Sequence, residues 1–113
     1  MPKLLLAEDD PTMVSLLSTL LKMEGFEVVV VGANADVPSE VKKENPDFMV
    51  MDVHIGIQNG LDILKAIRQD TANAKIKIVM ASGYNVKDEC LAGGANHFLL
   101  KPFMPDDLLK LLK

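Results

Sequence analysis

Five short, mainly apolar runs punctuate this chain: KLLLA (3–7), EVVVV (27–31), FMVMD (48–52), IKIVMAS (76–82) and NHFLLK (96–101). They lack the regular polar alternation of a strand with one face in water, so they read as strands covered on both sides. Segments of helical length separate them. Crossovers of that length join parallel strands, with right-handed connections. The pattern therefore predicts an α/β fold, an open doubly wound five-stranded parallel sheet of (βα)5 plan.

The intervening segments carry helix signals of their own. Asp10 reads as an N-cap with Pro11 at the first helical position. Met13, Leu16, Leu17, Leu20, Leu21 and Met23 then recur at the spacing of one buried face, and Gly25 stops the helix. Residues 34–45 predict a second helix, interrupted early by Pro38 and ended before Asn45-Pro46. HIGIQNG is expected to be a loop, followed by a helix over 61–69 and a short one over 86–94 that two glycines stop. The last helix is expected over 105–113, with Asp106 and Asp107 suiting the helix dipole in its first turn. Asp10 is read as a helix cap, Asp106 and Asp107 as a helix N-terminus, His97 as a surface residue, and the seven methionines as core filler.

A chain of 113 residues accommodates one domain, here residues 1–113. The last helix is short, either truncated or continued downstream. A hydrophobic share of 49 % supports a real core, and a net charge of −4 argues against a nucleic-acid-binding face. The single cysteine, Cys90, excludes an internal disulfide and fits a reducing compartment, and it reads as a small semi-buried residue. With no signal-peptide pattern and no apolar run near the ~20 residues that cross a bilayer, a cytoplasmic location is expected.

In a doubly wound sheet, ligands gather beyond the carboxyl ends of the strands. The first strand delivers Glu8 and Asp9, the third Asp52, the fourth Ser82 and the fifth Lys101, which precedes Pro102. Topology thus brings sequence-distant carboxylates together. One pair at about 5 Å costs roughly 3 kcal/mol at an effective dielectric of about 20, so either some hold protons or a hard cation lies among them. No His/Cys cluster competes for a softer metal, and Mg²⁺ fits best. A cation, the Lys101 ammonium and the Ser82 hydroxyl make a receptacle for a three-oxygen anion. Asp52 at its floor is placed to attack a phosphoryl group and form an acyl phosphate.

Taken in order, LLLAEDDP, VMDVHIGIQNG, MASGY and LLKPF resemble the receiver domain of two-component response regulators, CheY-like, over essentially residues 3–113. Gly60, eight residues after Asp52, belongs to the same pattern. The resemblance implies a flavodoxin-like sheet of strand order 2-1-3-4-5. It implies that Asp52 is the phosphoacceptor, and that Glu8 and Asp9 position Mg²⁺ together with Asp52 and the backbone carbonyl of His54. Ser82 and Phe98 are implied as the switch pair, Lys101 as the phosphate-binding cation, and the Lys101–Pro102 bond as cis. The implied function is a phosphorylation-controlled signalling switch that catalyses its own modification and hydrolysis without turning over a substrate. The implied donor is a sensor histidine kinase or a histidine phosphotransfer protein. The implied readout is repacking of the helix 4–strand 5–helix 5 face, toward an output domain, an effector protein or a second copy.

Three departures from the family pattern stand out. Gly56 replaces a usual proline, which predicts a looser loop. Phe98 lacks the hydroxyl of the commoner tyrosine. His54 and Tyr84 occupy positions that flank the phosphate in the family, which predicts shielding from water and a longer phosphorylated lifetime. Two other functions remain open from sequence. Phosphatases that form aspartyl phosphates share the chemistry but need an acid where His54 stands. A degenerate receiver would act as a constitutive interaction module.

Overall fold

The structure is a computed structural model and describes residues 1–112. Its strands are β1 (Lys3–Ala7), β2 (Glu27–Val31), β3 (Phe48–Asp52), β4 (Lys77–Ser82) and β5 (His97–Leu100). Helices α1 (Pro11–Met23), α2 (Val37–Glu44), α3 (Gly60–Gln69), α4 (Lys87–Ala92) and α5 (Pro105–Leu112) alternate with them. All four pairings are parallel, in the order β2-β1-β3-β4-β5, the flavodoxin-like arrangement. The order reverses between β1 and β3, so a crevice opens beyond the carboxyl ends of those two strands.

Strand periodicity divides the core into two layers. Leu5, Ala7, Met49, Met51, Ile78 and Met80 pack with residues of α2, α3 and α4 on one face. Their neighbours Leu4, Leu6, Val50 and Val79 pack with Leu17 and Leu21 of α1 and with Leu108 and Leu112 of α5 on the other. Each central strand is therefore buried on both sides, which is why its sequence shows no polar alternation.

The helix ends follow local chemistry. Asp10 Oδ1 accepts from the N–H groups of Thr12 and Met13, at 2.9 and 3.4 Å. At the other end of α1, Phe26 N donates to Leu21 O and Gly25 N to Lys22 O, with Gly25 at φ +94°, a Schellman stop.

Several boundaries and faces differ from expectation. Helix α2 starts at Val37, not residue 34, because the Asp36 carboxylate accepts from Ser39 N at 3.3 Å. Pro38 then falls in the first turn, where a missing N–H is harmless, and interrupts nothing. HIGIQNG is not a plain loop: His54–Ile55 and Gln58–Asn59 pair as an antiparallel ribbon. On α1, Leu16 and Met23 lie outside the buried face, and Met1 and Met104 are also exposed, so only part of the methionine set fills the core. The expected end of α5 at Lys113 lies outside the described residues.

Candidate functional site

Glu8 and Asp9 follow β1, Asp52 ends β3, Ser82 ends β4 and Lys101 follows β5. The parallel sheet brings these ends to one edge. Lys101 Nζ donates to Asp52 Oδ2 at 2.7 Å and to Glu8 Oε2 at 3.1 Å. Its backbone N–H also donates to Ser82 O at 2.8 Å, fixing the start of the β5–α5 loop against β4. The Lys101–Pro102 bond is cis, as the resemblance implies.

The carboxylates differ in environment. Glu8 is 5 % exposed, Asp52 half-buried and Asp9 exposed. Burial pushes the Glu8 carboxyl above the usual carboxylate range, against the pull of Lys101 and the N–H of Asp10. Burial also opposes the Lys101 ammonium, but the hydrogen bonds to Asp52 and Glu8 outweigh it and hold its pKa above the ordinary lysine value. Asp52 Oδ1 accepts from His54 N at 3.1 Å, and Asp9 Oδ2 from Gly56 N at 2.8 Å.

One carboxylate oxygen from each of Glu8, Asp9 and Asp52 lies within 4.8 Å of the other two. Neighbouring oxygens on an octahedral Mg²⁺ at about 2.1 Å are about 3 Å apart, so side-chain shifts of about 1 Å each, within reach of rotamer adjustment, close this set around the ion. Three carboxylates against one ammonium also leave two negative charges to balance. The donor set, all hard oxygen, thus fits magnesium in size, charge and chemistry. The carbonyl of His54 joins that set by resemblance alone; the ribbon places His54 in register with Asn59.

The Ser82 hydroxyl is 1 % exposed and accepts from Tyr84 N at 3.1 Å. Phe98 on β5 is half-buried against the layer under α2, α3 and α4, in register with Met80 of β4. His54 and Tyr84 are exposed and meet edge to face, with ring centroids 6.4 Å apart.

The loop after Asp52 is fastened rather than loose. Its ribbon turns through Gly56 at φ +59° and Ile57, the Gly-Xaa pattern of a type II′ hairpin. Gln58 Nε2 donates to Ala33 O and Ala35 O at 2.6 and 3.0 Å, tying the ribbon to the β2–α2 loop. Glycine followed by one residue is a hairpin-turn signal present in the sequence, although Gln58-Asn59 carries no strand propensity of its own. The role of Gln58 has no such signal, because its partners are over twenty residues away.

A family model for the response regulator receiver domain matches residues 4–113. The transcriptional regulatory protein CpxR of Escherichia coli strain K12 is 36 % identical over 110 residues, covering 96 % of this chain and 47 % of its own length. The chain spans about half the length of the curated relatives it matches. The chemotaxis response regulator CheY4 of Vibrio cholerae superposes with a TM-score of 0.89 at 28 % identity, over 99 % of this chain and 96 % of that one. The receiver domain of sensor histidine kinase PA1611 from Pseudomonas aeruginosa PAO1, solved with magnesium coordinated in its active-site cleft, gives a TM-score of 0.87. At 23 % identity, over 98 % of this chain and 93 % of that one, its likeness is one of fold. Strand order, the carboxylate edge and the match over residues 4–113 lead to one assignment: this chain belongs to the receiver-domain family of two-component response regulators.

Proposed function

We propose that Asp52 accepts a phosphoryl group from a phosphohistidine on a sensor histidine kinase or a histidine phosphotransfer protein. The observation that carries this reading is the contact of Lys101 with both Asp52 and Glu8 inside the three-carboxylate group. An Asp52 carboxylate oxygen forms the new P–O bond as the donor's N–P bond breaks and the imidazole nitrogen keeps the electron pair. The His54 N–H on Oδ1 orients the carboxylate. Lys101 stabilises charge on the phosphoryl oxygens in transit, and Glu8 and Asp9 hold the cation site. A magnesium ion bound there offsets the carboxylates and draws negative charge from the transferring group. Water later attacks phosphorus and releases phosphate, returning Asp52 to its carboxylate.

Phosphorylation is read through Ser82 and Phe98. To reach a phosphate oxygen, the Ser82 hydroxyl gives up its bond from Tyr84 N, and Phe98 moves into the space vacated. Two discrete packings of the α4–β5–α5 face then differ in affinity for an output region, an effector or a second copy. In place of the second acid of aspartyl-phosphate phosphatases stands His54, exposed and two residues beyond Asp52, which favours a switch over substrate turnover.

The test is mass spectrometry after incubation with acetyl phosphate. A gain of one phosphoryl group that needs Mg²⁺ and vanishes in Asp52→Asn is expected. Unmodified wild-type protein under those conditions would refute the reading and favour a constitutive interaction module.

A further inference from the structure

Asp9 is the exposed carboxylate of the cation group, so its orientation is the least constrained by burial. One oxygen, Oδ2, accepts from the Gly56 N–H across 47 residues of sequence. That amide is aimed by the ribbon turn, where Gly56 has φ +59° and a Cβ would come within 2.8 Å of the Ala33 Cβ. The turn therefore packs directly on the β2–α2 loop. A ribbon of two residues per strand is at best marginal alone and needs an anchor. Gln58, in register with Ile55, supplies one: its side-chain nitrogen donates to the carbonyls of Ala33 and Ala35. Both donors of the amide are engaged, so it cannot rotate without losing both bonds.

We propose that Gln58 is a positioning residue for the cation site, clamping the ribbon so that the Gly56 amide holds Asp9 by one oxygen and leaves the other to the ion. The inference rests on the metal-binding reading above. Gln58 acts through the backbone of Gly56 and itself takes no part in phosphoryl transfer. Releasing the clamp lets the ribbon stray, and the fraction of molecules presenting Asp9 correctly falls. Apparent affinity scales with that fraction, so a fall to between about 0.3 and 0.1 weakens binding about three- to tenfold.

The experiment titrates Mg²⁺ alone into the full chain by calorimetry, for wild type, Gln58→Met and Gln58→Asn, alongside urea unfolding and amide hydrogen exchange at Gly56. Methionine keeps the side chain's length without its donors, and asparagine keeps the donors but falls short by a methylene. The expected result is Mg²⁺ affinity about three- to tenfold weaker in Gln58→Met, with faster exchange at Gly56 and a urea transition that stays cooperative and shifts only slightly to lower urea. Gln58→Asn falls between it and wild type, and stands in if the methionine variant does not fold. Wild type that binds Mg²⁺ while both variants bind within twofold of it would overturn the clamp alone. Wild type that binds no Mg²⁺ would overturn the metal reading, and the clamp's purpose with it.

Discussion

Replacing Gly60 with alanine sets helix propensity against steric contact, and the structure decides the sign. Gly60 opens α3, and its N–H donates to Val53 O at 2.6 Å. On propensity alone, alanine in a helix gains up to about 1 kcal/mol over glycine. A Cβ at this position, however, would lie 2.5 Å from Asp52 O, 2.8 Å from Val53 Cα and 2.9 Å from Val53 O. All three are backbone atoms, so no side chain can swing aside. The tightest contact must open by about 0.5 Å merely to reach the shortest distance real Cβ atoms tolerate, and forced shifts of this kind cost about 1–3 kcal/mol. With three fixed atoms the cost falls at the upper end, for a net loss of about 2 kcal/mol. The displaced backbone belongs to Asp52, so Mg²⁺ affinity falls as well. Urea unfolding followed by circular dichroism measures the first effect and calorimetry the second. Gly32→Ala, where nothing lies within 4 Å of the new Cβ, is the control and should change stability by less than about 0.5 kcal/mol. A Gly60→Ala protein as stable as wild type would refute the reasoning.

Arg68 donates to Gly94 O, Asn73 O, Ile76 O and Asn96 Oδ1 at 2.8–3.0 Å, joining α3 to the far end of β4 and the α4–β5 loop. Arg68→Met should cost about 2–3 kcal/mol in urea unfolding while leaving Mg²⁺ binding intact; a loss under about 0.5 kcal/mol would show that water replaces the clamp. Burial, with a smaller push from Glu89, raises the Cys90 thiol above its ordinary value of 9.0. The stability tied to this proton is fully present below that value and is lost as pH rises through the folded pKa, so Cys90→Ala should flatten the alkaline fall in stability. Alkylation of native Cys90 at about pH 8 should be at least tenfold slower than in urea, and equal rates would contradict its burial. The exposed rings of His54 and Tyr84 should shield the acyl phosphate, so the double alanine variant should lose phosphate about threefold faster. Unchanged decay would remove them from that role.

Local chemistry made much of this protein legible in its sequence. Mainly apolar runs identified the five strands; the three central ones, β1, β3 and β4, show no polar alternation because they are buried on both faces, whereas the edge strands β2 and β5 leave Val30 and Leu100 exposed. Asp10-Pro11 and Gly25 marked the limits of α1, because caps are written within a few residues of where they act. The site residues were legible for a topological reason. Parallel strands share one carboxyl edge, so Glu8, Asp9, Asp52, Ser82 and Lys101 had to meet there once the sheet was assigned.

Tertiary structure decided what depends on partners remote in sequence. Apolar spacing marked Leu16 and Met23 for the buried face of α1 as plainly as Leu17 and Leu21; only the placement of α5 and the sheet leaves the first pair in solvent. A glycine in place of proline implied slack after Asp52, yet the ribbon, the Gln58 amide and the Gly56 N–H hold that loop to β2–α2 and to Asp9. Gln58 and Arg68 gave no local sign of their roles. A long polar side chain reads as a solvated surface group until the fold brings carbonyl oxygens within 3 Å of it. Hydrogen bonds of that kind form between segments that only the packed sheet brings together, and no periodicity in the chain encodes them.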